Sequence, residues 1–246
     1  MKTYRQLFVV IVIFFTLSLE AQTPPANLPP DVHWVRYSVE YPAICIQTYR
    51  WAWETVKAQA DTVEGDWAVI LDIDETVLDN SRYQEILFET GEKYPYFWDD
   101  WVRQEECPPV PGVKTFLDSV HTLGEHAHVV FITNRKIHLE EATLNNLRKV
   151  GLWREGDVLL CRRDKSDTKI LRRKEVREGT GRCEGMGKRK ILALIGDQLA
   201  DVMEYPTPGT VLENKTQILK SPVWGTRYFL LPNPMYGYWQ LGYPSR

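Results

Sequence analysis

The 246-residue chain lacks any Cys-x-x-Cys pair: Cys45, Cys107, Cys161 and Cys183 stand far apart, which sets aside the paired-cysteine type of zinc site. No internal repeat is evident, so repeat architectures are set aside too. A basic excess is also missing. The formal net charge is -3, which argues against an overall nucleic-acid-binding character. The longest early apolar stretch, Leu7 to Leu19, is too short for a membrane span. The acidic segment that begins at Asp72 has no glycine at its sixth position, and this speaks against a calcium loop. What remains is ordinary for a globular protein, with 43% hydrophobic and 26% charged residues. A chain of this length can bury a full core as one α/β domain.

Three apolar runs read as buried parallel strands: Trp67 to Leu71, Val129 to Ile132 and Ile191 to Ile195. Each ends in polar residues. Asp72-Ile73-Asp74-Glu75-Thr76 follows the first, Thr133-Asn134-Arg135 the second, and Gly196-Asp197 with Asp201 the third. Lys169 lies between the last two. Open parallel sheets bind ligands just past the carboxyl ends of their strands. Singly, each patch has an ordinary reading: a strand end, a helix cap, a solvated lysine, a turn. Together and in this order they read as one phosphate-transfer site. Clustered carboxylates would repel without a cation, and a hard oxygen set of this kind suits Mg2+.

The order and spacing resemble the haloacid dehalogenase (HAD) superfamily. Asp79-Asn80-Ser81, Trp98-Asp99-Asp100-Trp101, Val110-Pro111-Gly112, Asp164-Lys165-Ser166 and the stretch Leu231 to Trp239 sharpen this. They resemble the bacterial class C acid phosphatases, the lipoprotein-type 5'-nucleotidases, from about His33 to Trp239. The resemblance implies an α/β fold: a Rossmann-like parallel sheet flanked by helices, with a small helical cap at residues 80–111. It makes Asp72 the nucleophile and Asp74 the general acid/base. Thr133 and Lys169 hold the transferred phosphate, with Asn134 and Arg135 beside them as substrate-binding residues. Asp72, Asp197, Asp201 and the backbone carbonyl of Asp74 face the metal. The chemistry agrees, since a carboxylate that attacks phosphorus forms an aspartyl-phosphate and splits one difficult step into two. A second acid two residues on can protonate the leaving oxygen and later activate water. Gln198 stands where the family often has asparagine.

The resemblance implies a small phosphomonoester as substrate. The resemblance gives Trp98 and Tyr236 the task of sandwiching a base, which points to 5'-nucleoside monophosphates. The alternatives are a broad sugar or aryl phosphatase, and a non-catalytic surface protein that binds nucleotides. From Arg162 to Lys174 the chain holds seven positive and two negative residues. This stretch reads as a solvated helix face in which only Lys169, with Lys165 as a second candidate, has a function.

Lys2, Arg5, the apolar stretch and Ala21 read as a signal peptide over residues 1–21. Residues 22–32 read as an extended Pro-rich linker and residues 33–246 as the phosphatase domain. Many relatives carry a cysteine directly after the signal, whereas the first cysteine here is Cys45. The expectation is therefore an exported protein, periplasmic or secreted, with no stable membrane anchor. Cys161 and Cys183 flank a polar segment and are candidates for a disulfide. Helices are expected over Pro42–Val63, Val113–Leu123 and Leu139–Val150. The oligomeric state stays open, a homodimer among the options.

Overall fold

The computed structural model describes residues 27–204 and 211–241. The expected signal peptide and most of the linker lie outside these residues. Five parallel strands form the sheet: β1 (Trp67–Leu71), β2 (Ala127–Lys136), β3 (Val158–Arg162), β4 (Lys190–Gly196) and β5 (Tyr228–Leu230). Their order is β3-β2-β1-β4-β5. The chain winds outward from β1 through β2 to β3, then crosses back to place β4 on the other side of β1. That reversal opens a crevice at the carboxyl ends of β1 and β4.

The strands read as unbroken apolar runs because both sheet faces are covered. Val69, Leu71, Val129, Phe131 and Ile195 join one core. Ala68, Ile70, Val130, Ile132 and Leu194 join the other. A register shift at Ala68/Val69 lets β4 follow the same alternation despite an extra residue.

Nine α-helices are described: α1 (Pro30–Tyr37), α2 (Glu40–Ala60), α3 (Ser81–Thr90), α4 (Trp98–Arg103), α5 (Val113–Val120), α6 (Glu140–Lys149), α7 (Lys169–Glu178), α8 (Leu199–Val202) and α9 (Val211–Lys220). Residues from α2 (Cys45, Tyr49, Ala52, Val56) and α5 (Val113, Phe116, Leu117, Val120) fill the first core. Val176 of α7 and Val202 of α8 fill the second. The segment 80–111 holds α3 and α4, as a helical cap should. Its base is closed by an antiparallel bridge between Leu78 and Pro109. The expected helices over 42–63, 113–123 and 139–150 are present as α2, α5 with a following 3-10 turn, and α6.

Three expectations are corrected. The linker is not extended to its end: α1 starts at Pro30, a residue whose fixed φ suits a first helical turn. Core packing also reaches back to Leu28 and Val32. Cys161 and Cys183 do not pair. All four cysteines are free and buried, and they behave as small core residues. The basic stretch is not a solvated face either, since Arg172 and Arg173 are buried. Their guanidinium groups donate to backbone carbonyls, Arg172 to those of Thr133 and Leu160 and Arg173 to those of Ala200, Asp201 and Met203.

Candidate active site

The pairing of β1 with β4 sets the first contact. The Asp72 N–H donates to the Ile195 carbonyl at 3.0 Å, which places Asp72 beside the exit that leads to Asp197. Asp201 returns to the same point from α8. Its Oδ2 accepts the Gln198 N–H (2.8 Å) in a capping box. Gly196 has no room for a Cβ, which would stand 2.2 Å from the Asp201 Cβ. Glycine is therefore what lets the carboxylate close on the strand end.

Carboxylate oxygens of Asp72, Asp197 and Asp201 lie within 4.8 Å of one another, all buried. Lys169, the first residue of α7, donates to Asp72 Oδ1 and to Asp201 Oδ1, the latter at 2.6 Å. An ammonium at a helix N-terminus opposes the helix dipole. Burial also disfavours it, yet the Asp201 and Asp72 carboxylates more than offset this and hold its pKa up at about 12. Burial lifts Asp72 well above the usual carboxylate range despite Lys169, and Asp201, Asp197 and Asp74 push the same way. Burial and then Asp201 raise Asp197 to about 7. Asn233 (2.7 Å) and Gln198 (2.8 Å) donate to its Oδ2 and orient it. One ammonium thus faces three carboxylates, and the unbalanced negative charge fits a divalent cation on hard oxygen donors. The donors behind Asp197 are the outer partners such a site needs.

A pH dependence follows. Asp197 titrates from an ordinary 3.8 up to about 7 in the fold, so the native state holds more protons across that window. Stability then falls as pH rises. The metal-free chain is expected to melt at a higher temperature at pH 5 than at pH 8. Metal binds the deprotonated site, so saturating divalent metal should restore the midpoint at pH 8 and do little at pH 5. Calorimetry with and without chelator checks this; a flat metal-free profile would remove the charge imbalance from the argument.

Asp74 lies outside the three-carboxylate cluster. Its Oδ1 accepts from Asn80 Nδ2 (3.0 Å) and from Arg135 Nε (2.9 Å), which leaves its backbone carbonyl for the expected metal role. Arg135, expected to bind substrate, is 2% exposed and is engaged with Asp74, Asn80 and Thr143. Thr133 is buried at the end of the apolar part of β2. Its Oγ1 accepts the Arg135 N–H at 3.0 Å, which keeps its hydroxyl proton for another acceptor. Asn134 is exposed, its Oδ1 held by Arg172 at 2.8 Å. Trp98 is half-buried against Tyr83 and Tyr94, with the Arg135 guanidinium 5.6 Å from its ring centroid. Tyr236 is half-buried, and its carbonyl accepts from Gln198.

Four contributors had no role from sequence. Asn233 lies in the late segment and orients Asp197. Asn80 lies just after the first motif. Glu75 takes a left-handed φ of 57° and is buried, and its Oε1 accepts the Asn80 N–H. Arg172 binds the Thr133 and Leu160 carbonyls and Asn134. Its signal was hidden in a run of like charges.

Residues 17–239 match the family profile of the HAD superfamily, subfamily IIIB (acid phosphatase). The class C acid phosphatase from Bacillus anthracis is similar in structure: TM-score 0.73 and 30% identity, covering 86% of each chain. The same enzyme with tungstate bound gives TM-score 0.72 at 29% identity, again with 86% of each chain covered. Vegetative storage protein 1 of Arabidopsis thaliana is 27% identical over 169 residues, 68% of this chain and 54% of its own. The chain therefore spans about half the length of that curated relative. With the profile matched over most of its length, on a parallel sheet whose strand exits hold the expected carboxylates, the chain belongs to HAD subfamily IIIB, the acid phosphatases.

Proposed function

We propose that this protein is an exported Mg2+-dependent phosphatase that hydrolyses phosphomonoesters, 5'-nucleoside monophosphates in particular, through an aspartyl-phosphate on Asp72. The observation that carries the chemistry is Asp72 paired with Lys169 at the exit of β1, with Asp74 fixed two residues on. Fold alone does not imply turnover, so the catalytic reading rests on these residues. Pure nucleotide binding has no use for a nucleophile beside a second acid.

In the first step an oxygen of Asp72 bonds to phosphorus as the ester P–O bond breaks, and Asp74 gives a proton to the departing oxygen. In the second, Asp74 takes a proton from water as the water oxygen bonds to phosphorus and Asp72 is released. The Lys169 ammonium and the Thr133 hydroxyl supply charge and a donor for the phosphoryl oxygens, where alignment and neutralisation are most of the catalysis. Asp72, Asp197, Asp201 and the Asp74 carbonyl would hold Mg2+, which neutralises developing phosphoryl charge when bound. The Bacillus anthracis relative has been solved with tungstate bound, a tetrahedral oxyanion like phosphate, which supports oxyanion binding on this fold. Export rests on residues 1–21, which the structure does not describe.

The test is phosphate release by residues 22–246 with Mg2+, comparing adenosine monophosphate with p-nitrophenyl phosphate. Release from both, lost on chelation and restored by Mg2+, is the expected result; release from neither would leave the non-catalytic binding reading. Trp98→Ala and Tyr236→Ala decide the substrate class. Stacking is worth about 1–3 kcal/mol per base, so kcat/KM on the nucleotide should fall by about 5- to 150-fold, with little change on p-nitrophenyl phosphate. Equal losses on both substrates would support a general sugar or aryl phosphatase instead.

A further inference from the structure

The carboxylate of Asp74 has one crowded oxygen and one open one. Its Oδ1 accepts from two donors, Asn80 Nδ2 at 3.0 Å and Arg135 Nε at 2.9 Å, and the Arg135 Nη2 of the same ion pair stands 2.8 Å away. No described residue donates to Oδ2. A carboxylate oxygen that accepts from two donors has both lone pairs engaged and none left for a further proton.

The donors are themselves fixed. Asn80 is 1% exposed. Its Oδ1 accepts from Trp101 Nε1 (2.9 Å), Cys107 Sγ (3.2 Å) and Arg135 Nη2 (3.3 Å), and its N–H donates to Glu75. Arg135 donates from Nη1 to Thr143 and lies under Trp98. Trp98 and Trp101 are both in α4, so a cap helix bears on both partners of the acid/base.

We infer that Asn80 and Arg135 are positioning residues for Asp74, held by Trp101 and Trp98 of the cap, and that proton transfer runs through Asp74 Oδ2 alone. This rests on the phosphatase reading above. In the first step Oδ2–H protonates the leaving oxygen, which keeps the electron pair of the broken P–O bond. In the second, water gives its proton to Oδ2 as its oxygen bonds to phosphorus, and the Asp72–phosphorus electron pair returns to Asp72. Arg135 therefore acts behind the acid/base and does not hold the substrate.

The leaving group tests it. An alkyl alkoxide must be protonated as it departs, whereas p-nitrophenolate leaves without a proton. In Asn80→Ala and Arg135→Lys, kcat/KM on glycerol phosphate should fall by about 100-fold, the low end of a general-acid contribution. On p-nitrophenyl phosphate the fall in kcat/KM, which reports the first step alone, should be under about 10-fold. Trp101→Phe keeps the ring and removes one donor to Asn80. It should show the same bias at about 5-fold, and it decides the matter if Asn80→Ala does not fold. Equal losses on the two substrates, or losses in KM alone, would overturn the inference. A wild-type chain that hydrolyses neither ester would instead overturn the phosphatase reading.

Discussion

Asp72→Asn is expected to abolish phosphate release and to make the metal-free protein more stable. The first effect follows from the proposed role of Asp72 as nucleophile: an amide cannot form the aspartyl-phosphate, and loss of a nucleophile costs about 10^4-fold or more in kcat. The second follows from the surroundings. Asp72 is buried among Asp74, Asp197 and Asp201, and its ionised form is disfavoured even with Lys169 in contact. An uncharged isostere removes part of that repulsion, while Lys169 keeps Asp201 at 2.6 Å. A gain of about 1 kcal/mol corresponds to about 2–4 °C in a chain of this size. Calorimetry in chelator and a phosphate assay in Mg2+ read the two effects separately. Retained turnover would mean that another group attacks phosphorus. A lowered midpoint would mean that the Lys169–Asp72 attraction outweighs the repulsion. Stability given up at a working site is the usual trade.

Arg172→Met should be the most damaging change outside the carboxylate cluster. The guanidinium is fully buried. It binds the Thr133 carbonyl at the end of β2 and the Leu160 carbonyl in β3 (3.0 Å), and it pairs with Asp167 at 3.4 Å. Burial lowers its pKa to about 10, so it stays charged at neutral pH. Met fills much of the volume and supplies no donor, leaving buried carbonyls and Asp167 without this partner. Breaking a buried ion pair costs about 3–5 kcal/mol, a fall of about 10 °C at this size. The Thr133 segment of β2 should loosen with it, so inhibition by inorganic phosphate weakens as the midpoint drops. Lys174→Ala is the control: its side chain is 58% exposed and, among the described residues, pairs only with Glu178 on its own helix. Surface changes of that kind stay within about 0.5 kcal/mol. Similar effects from the two substitutions would return the whole stretch to a solvated face.

Arg172 also shows where sequence reading stops. Seven positive charges among thirteen residues look alike along the chain. Lys169 stood out only because its place among the motifs matches a known family. Which other charges turn inward depends on carbonyls at the ends of β2, β3 and α8, and those become neighbours only when the sheet is assembled. Arg173 is the same case: it donates to the carbonyls of Ala200, Asp201 and Met203 at the end of α8. Arg135 was legible as part of a site, but its role was not. Its partner Asp74 is sixty-one residues away, and spacing does not distinguish a guanidinium that meets a phosphate from one that meets a carboxylate. The free cysteines belong here too, since pairing requires proximity that four scattered positions do not reveal.

By itself the sequence determined three of the five strands, three of the nine described α-helix spans, the exits of those strands and the carboxylates placed there, because unbroken apolar runs and their polar ends are local in the chain. It also determined the family, through motifs that keep their order. Tertiary structure alone decided which groups touch. The β1–β4 pairing brings Asp72 beside Asp197, α7 delivers Lys169 between Asp72 and Asp201, and the cap lays Trp101 against Asn80. Each contact joins residues distant in sequence, and its chemistry depends on ångström-scale separation and exclusion of water. Neither is a property of the chain before it folds.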